Sequence, residues 1–179
     1  MKLRKGTHDA TGLRFGVVVA KFNKFATSRL LTCCVQALTK AKAKEEDIEV
    51  VRVPGAFEIP IVARQLAKSG RFDAVICLGA VIRGDTPHFE YISTEAARGI
   101  GQAALDSDVP VIFGVLTTDT VAQAIERADP TKHNRGAEAA KSAIEMATVM
   151  HILKGVENGV VRGTRQTSRT SKSSLRRKR

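Results

Sequence analysis

The chain has 179 residues, 43% of them hydrophobic and 26% charged, a balance that suits one packed domain and excludes wholesale disorder. No apolar run approaches the ~20 residues that span a bilayer, and the polar, basic opening from Met1 to Asp9 lacks the apolar stretch of a secretory signal. The formal net charge is +11, but residues 155–179 set eight basic side chains against Glu157 alone and so carry +7 of it; the basicity belongs mostly to a tail.

The elements alternate along the chain. Arg14–Ala20 reads as a buried strand. Asn23–Lys44 is a long helix with Leu30, Leu31, Cys34, Leu38 and Ala41 at helical spacing. Ile48–Val53 is a second strand, ended by Pro54 and Gly55, and Glu58–Ser69 a second helix stopped by Gly70. Ala74–Gly79 is a third strand and Pro87–Leu105 a third helix. Val109–Val115 is a fourth strand, Val121–Ala128 a short helix, and Gly136–Lys154 an Ala-rich final helix. Continuous Val/Ile strands are covered on both faces, so the order predicts an α/β sandwich with a four-stranded parallel sheet between helix layers. Ligands of such sheets bind beyond the carboxyl ends of the strands. After Gly155 the pattern collapses: Thr164–Arg179 is Ser, Thr, Gln, Lys and Arg around a single Leu175, too polar to offset its ordering entropy. The expected division is a domain over 1–154 and a basic, disordered tail over 155–179.

Cys33, Cys34 and Cys77 show no metal-ligand spacing, which fits buried thiols in a reducing, cytoplasmic setting. His8, His133 and His151 are scattered and form no metal constellation.

The most informative stretch runs from Gly79 to Tyr91. A strand ends, a loop follows, and Thr86 and Pro87 are suited to the N-cap and first turn of a helix. His88 then sits in that first turn, where the positive end of the dipole disfavours imidazolium and suits a residue that takes and returns protons. The N–H groups of Asp85 and Thr86 would face an incoming anion. The competing reading is a capped helix carrying an exposed His. Glu58, in another first turn, is either a dipole partner or an acceptor for polyol hydroxyls. Six of the eight aromatic residues (Phe22, Phe25, Phe57, Phe89, Tyr91 and Phe113) lie in or beside strand-end segments. Each alone fits core packing; their clustering favours a stacking site for a flat ring. Thr120 and Gln123 have capping-box spacing and lead to Arg127, a residue type able to hold a phosphate ester bidentately.

Taken in order, Phe22-Asn23, Pro54–Pro60, Gly79–Tyr91, Phe113–Thr117, Gln123–Arg127 and Gly136–Ala140 resemble the lumazine synthase family. That resemblance, from about Gly12 to Leu153, implies a flavodoxin-like three-layer fold, pentamers (often twelve of them in a 60-subunit icosahedral shell), and active sites between neighbouring subunits. It implies a transferase of riboflavin biosynthesis without metal or organic cofactor. The reaction condenses 5-amino-6-(D-ribitylamino)uracil with 3,4-dihydroxy-2-butanone 4-phosphate through an imine, phosphate loss and ring closure. By motif, Phe22 would stack on the uracil, and Ala56, Phe57 and Glu58 would hold the ribityl chain. Ala80, Val81 and Ile82 would supply backbone groups and an apolar floor. Asp85 and Thr86 would donate to the phosphate, Arg127 would pair with it from the neighbouring subunit, and Phe113 would contact the pyrimidine across the interface. His88 would transfer protons. Arg135 stands where family members often carry Lys, in a loop from Asp129 that departs from the usual glycine-rich form, and is a further candidate contact. Riboflavin synthase is an implied partner; polyanion binding by the tail is a separate possibility raised by charge. Rival readings are a flavin- or nucleotide-binding module without catalysis, which has no need of His88 or Arg127, and a nucleic-acid-binding protein, whose charge signal is confined to the tail.

Overall fold

A computed structural model describes residues 1–155; the rest of the basic tail, 156–179, lies outside the described residues. The elements are β1 (Phe15–Ala20), α1 (Lys24–Lys40), β2 (Ile48–Val53), α2 (Ile59–Lys68), β3 (Ala74–Ile82), α3 (His88–Leu105), β4 (Val111–Thr118), α4 (Val121–Arg127) and α5 (Arg135–Lys154). All strand pairs are parallel and the sheet order is β2-β1-β3-β4. The expected architecture is therefore present: a four-stranded parallel sheet between helix layers.

The period-2 alternation of a strand divides the core into two. Phe15, Val17 and Val19 of β1 and Ile76 and Leu78 of β3 pack with Leu30, Leu38, Ala143 and Ile144 from α1 and α5. Val18, Val75 and Cys77 point the other way, onto Ile59 and Ala63 of α2 and Ala96 and Ile100 of α3. Both faces are covered, which is why these strands read as unbroken apolar runs.

Several element boundaries differ from expectation. The first helix ends at Lys40 rather than Lys44, because Lys42 takes a left-handed φ of 78° and the Ala43 amide turns back to Leu38 O at 3.0 Å; a short 3₁₀ turn, Glu45–Asp47, then leads into β2. β3 runs on to Ile82 and β4 to Thr118, paired Ile82 to Thr118 at the end of their register. Ala80, Val81 and Ile82, apolar like the residues before Gly79, thus stand on a strand instead of in a loop. At α3, Pro87 occupies the N-cap position and no side chain caps the helix, so Thr86 is not the cap. The Thr120–Gln123 capping box does form, with Thr120 Oγ1 accepting from the Gln123 amide at 3.2 Å. No helix among the described residues is long and apolar enough to cross a membrane.

Candidate active site

The loops at the carboxyl ends of β1, β2 and β3 converge on a pocket of about 630 Å³. β1 and β2 remain tied past their ends: the Lys21 amide donates to Val53 O at 2.8 Å and the Phe22 amide to Pro54 O at 3.1 Å. Asn23 then takes a left-handed conformation with φ 54°, one that Asn tolerates better than other residues with a Cβ. Its side-chain amide donates to Ala80 O at 2.9 Å. That turn directs Phe22 outward, 70% exposed. Sequence reading quoted Asn23 without a role; the signal was an Asn between a strand end and a helix start.

Phe57 is 55% exposed and lines the same pocket, so neither aromatic packs in the core. Glu58, at the N-cap position of α2, uses one carboxylate oxygen to accept from the Gly55 amide at 2.9 Å. This bond closes the Pro54–Glu58 turn and leaves the other oxygen for a ligand. Ala56, Ala80 and Val81 are buried and form the floor with Ile82. Gly84, Thr86, His88 and Phe89 complete the far wall, whereas Asp85 is exposed and outside the lining.

The Gly84–Pro87 loop carries few internal bonds and is braced from Arg83. The Arg83 guanidinium donates to Asp119 Oδ1 at 2.8 Å and to Glu90 Oε1 at 3.1 Å, and lies 4.4 Å from the Phe89 ring centroid. Both carboxylates push the Arg83 pKa up. Its backbone amide also donates to Thr118 O at 2.9 Å. Arg83 thus links the end of β4, the loop and the first turn of α3. Its motif was visible in sequence, but this three-way contact was not.

Arg127 and Phe113 stand elsewhere. Together with Arg135 they line a second pocket of about 440 Å³ against β4, an edge strand of the sheet. Phe113 is 44% exposed there. Arg135 is paired with Glu138 at 2.5 Å, one turn along α5. The buried Asn134 holds this region: its side chain donates to Ala128 O at 2.7 Å and accepts from the Gly136 and Ala137 amides. One side chain therefore joins the end of α4, which carries Arg127, to the start of α5, which carries Arg135. An Asn before an Ala-rich helix is an N-cap signature that sequence reading passed over.

One chain thus presents an aromatic, apolar pocket with a His at a helix start, and separately a cationic pocket on a sheet edge. An open parallel α/β sheet with one such pocket beyond its strand ends and another against its edge strand is an architecture that α/β enzymes use to bind small polar ligands. The family described as 6,7-dimethyl-8-ribityllumazine synthase matches residues 12–151, and the chain belongs to it. The protein is accordingly a transferase of riboflavin biosynthesis with lumazine synthase activity.

Proposed function

We propose that residues 1–154 form the catalytic unit and that each active site is completed by two copies of the chain. One copy contributes the Phe22/Phe57/His88 pocket and its neighbour the Phe113/Arg127 pocket. The observation that carries this reading is the separation of the two pockets, with the second on an unpaired sheet edge. In this arrangement Phe22 stacks on the pyrimidine of 5-amino-6-(D-ribitylamino)uracil, and the free oxygen of Glu58 accepts from ribityl hydroxyls. The Asp85 and Thr86 amides and the neighbour's Arg127 hold the phosphate of 3,4-dihydroxy-2-butanone 4-phosphate; Arg135 is a further contact to it. The amine attacks the ketone, water leaves as the imine forms, and a C–O bond breaks to expel phosphate. The second amine then closes the ring with loss of a second water. His88, at the start of α3, takes and returns the protons these steps require.

A ring of copies joined head to tail uses two different surfaces and closes with cyclic symmetry. A pentamer, alone or as a unit of a 60-subunit shell, is the expected form. Riboflavin synthase, which consumes lumazine, is the implied protein partner. The buried free thiols at Cys33, Cys34 and Cys77 fit a reducing, cytoplasmic setting. The test is to mix both substrates with purified protein and follow lumazine absorbance, with sedimentation in parallel. Binding of lumazine without turnover would leave only a non-catalytic binding module, and a monomer with full turnover would overturn the shared site.

A further inference from the structure

The residues from Gly84 to Pro87 connect β3 to α3 with little structure of their own. The amides of Gly84, Asp85 and Thr86 donate to no group of the chain among the described residues, and Pro87 has no N–H to give. All four residues are exposed. Fixing such a segment in one conformation costs entropy at every residue. The side chain that precedes the loop supplies the restraint. The Arg83 guanidinium reaches forward seven residues to Glu90 Oε1 at 3.1 Å, which closes the loop into a ring across the first turn of α3. Its Nε donates to Asp119 Oδ1 at 2.8 Å, just beyond the end of β4, and its central carbon lies 4.4 Å from the Phe89 ring centroid. These supports are themselves held. The Asp119 amide donates to Gln123 Oε1 at 2.9 Å, beside the α4 capping box, and Phe89 packs on the core beneath α2 and α3. A planar group with several fixed donors suits a junction of this kind better than a point charge does.

We propose that Arg83 is a positioning residue for the phosphate-bearing substrate: it holds the loop so that the free amides are in place before the phosphate arrives. The proposal rests on the shared-site reading above and adds to it a residue that touches no substrate. Arg83 does not line the pocket, whereas Gly84, Thr86, His88 and Phe89, all within the ring it closes, do. Stability is a poor account of this network. Arg83, Glu90 and Asp119 are all exposed, and exposed ion pairs contribute little to folding. Their effect falls instead on the order of the loop between them. Donors fixed in advance lose little freedom when an anion binds, and they need not reorient as phosphate departs with its developing charge. His88 begins the helical turn to which Glu90 belongs, so the same grip sets where His88 stands relative to the loop.

The test is steady-state kinetics of Arg83→Met in the full-length chain, with inhibition by inorganic phosphate as an equilibrium probe. Opening the ring returns to the loop the freedom of roughly one backbone residue, so KM for the phosphorylated butanone and Ki for phosphate rise about 10-fold. KM for the uracil and the melting temperature stay close to wild type. Arg83→Lys, which keeps the charge without the planar fork, recovers part of the loss. The triple variant Arg83→Met, Glu90→Gln, Asp119→Asn keeps the whole loss, because neutral carboxamides do not rebuild the ring. Wild-type KM in the triple variant shows that Arg83 only cancels two nearby negative charges, and overturns the positional role. An unchanged KM and Ki in Arg83→Met overturn it as well. So does an equal rise in KM for both substrates with a lowered melting temperature, the mark of general loosening. Arg127→Ala is measured alongside. If it raises KM for the phosphate substrate and Arg83→Met does not, the inference fails while the shared-site reading stands; if neither does, that reading fails too.

Discussion

The duties proposed for His88 and Arg127 are separable by experiment. Loss of a positioned acid–base costs about 10²–10⁴ in rate. His88→Ala is therefore expected to lower kcat by that range with little change in substrate affinity; steady-state kinetics showing an unchanged kcat would remove it from proton transfer. A charge-assisted bond to phosphate contributes roughly 1.5–3 kcal/mol. Arg127→Ala should accordingly raise KM for the phosphorylated butanone about 10–150-fold while leaving that for the uracil almost unchanged, and equal effects on both substrates would make it a surface residue. A third residue-scale expectation concerns the buried thiols. Burial pushes Cys34 from 9.0 up to about 12, and Cys33 and Cys77 move the same way. The folded state holds these protons where the unfolded chain releases them. That stability is fully present below about pH 9 and is lost as pH rises towards 12. Urea midpoints at pH 8 and 10.5 should fall further for the wild type than for Cys34→Ala; parallel falls would show that Cys34 takes no part in the linkage.

The helices place the functional groups by close approach at a few points. Gly136 opens α5 against the backbone of α1, where an added Cβ would overlap the Leu30 carbonyl. Neither partner is a flexible side-chain tip, so relief requires α5 to shift. Gly136→Ala should destabilise the fold by about 1–3 kcal/mol, as overpacking does, and thermal denaturation measures it. Because α5 also carries Arg135, and Asn134 ties it to the end of α4, the shift should raise KM for the phosphate substrate too. A variant of wild-type stability and KM would show that the helix pair accommodates the methyl group. Arg83 works similarly on the other side of the sheet, joining β4 to the start of α3.

At the scale of the molecule, the groups proposed for catalysis line two separate pockets of one copy. A mixed assembly tests the division. His88→Ala and Arg127→Ala chains, each nearly inactive alone, should regain up to about a quarter of wild-type activity when dissociated and reassembled at equal amounts. In a ring of head-to-tail sites, about one site in four then pairs two intact halves. No recovery in verified mixed assemblies would place both residues in one subunit's site.

The alternation of apolar runs and helical spacing was enough to establish the parallel sheet, because burial on both faces leaves its mark on every strand residue. Site motifs were equally legible, since Pro54–Pro60 and Gly79–Tyr91 lie where strands end. The outward direction of Phe22 was not legible: it depends on Asn23 bonding Ala80 O from a strand 57 residues further on. β3 and β4 also run past their expected ends, because Ala80, Val81 and Ile82 continue the apolar strand beyond Gly79 and pair with Leu116, Thr117 and Thr118. The position of Asn134 before an Ala-rich helix signals an N-cap, but only its bonds to both Ala128 and Gly136 show how the ends of α4 and α5, with Arg127 and Arg135, are joined. Local pattern records which face a residue buries; it carries no record of which distant backbone group a polar side chain will find. Those pairings exist only once the chain has closed on itself, and they aim the groups that the motifs named.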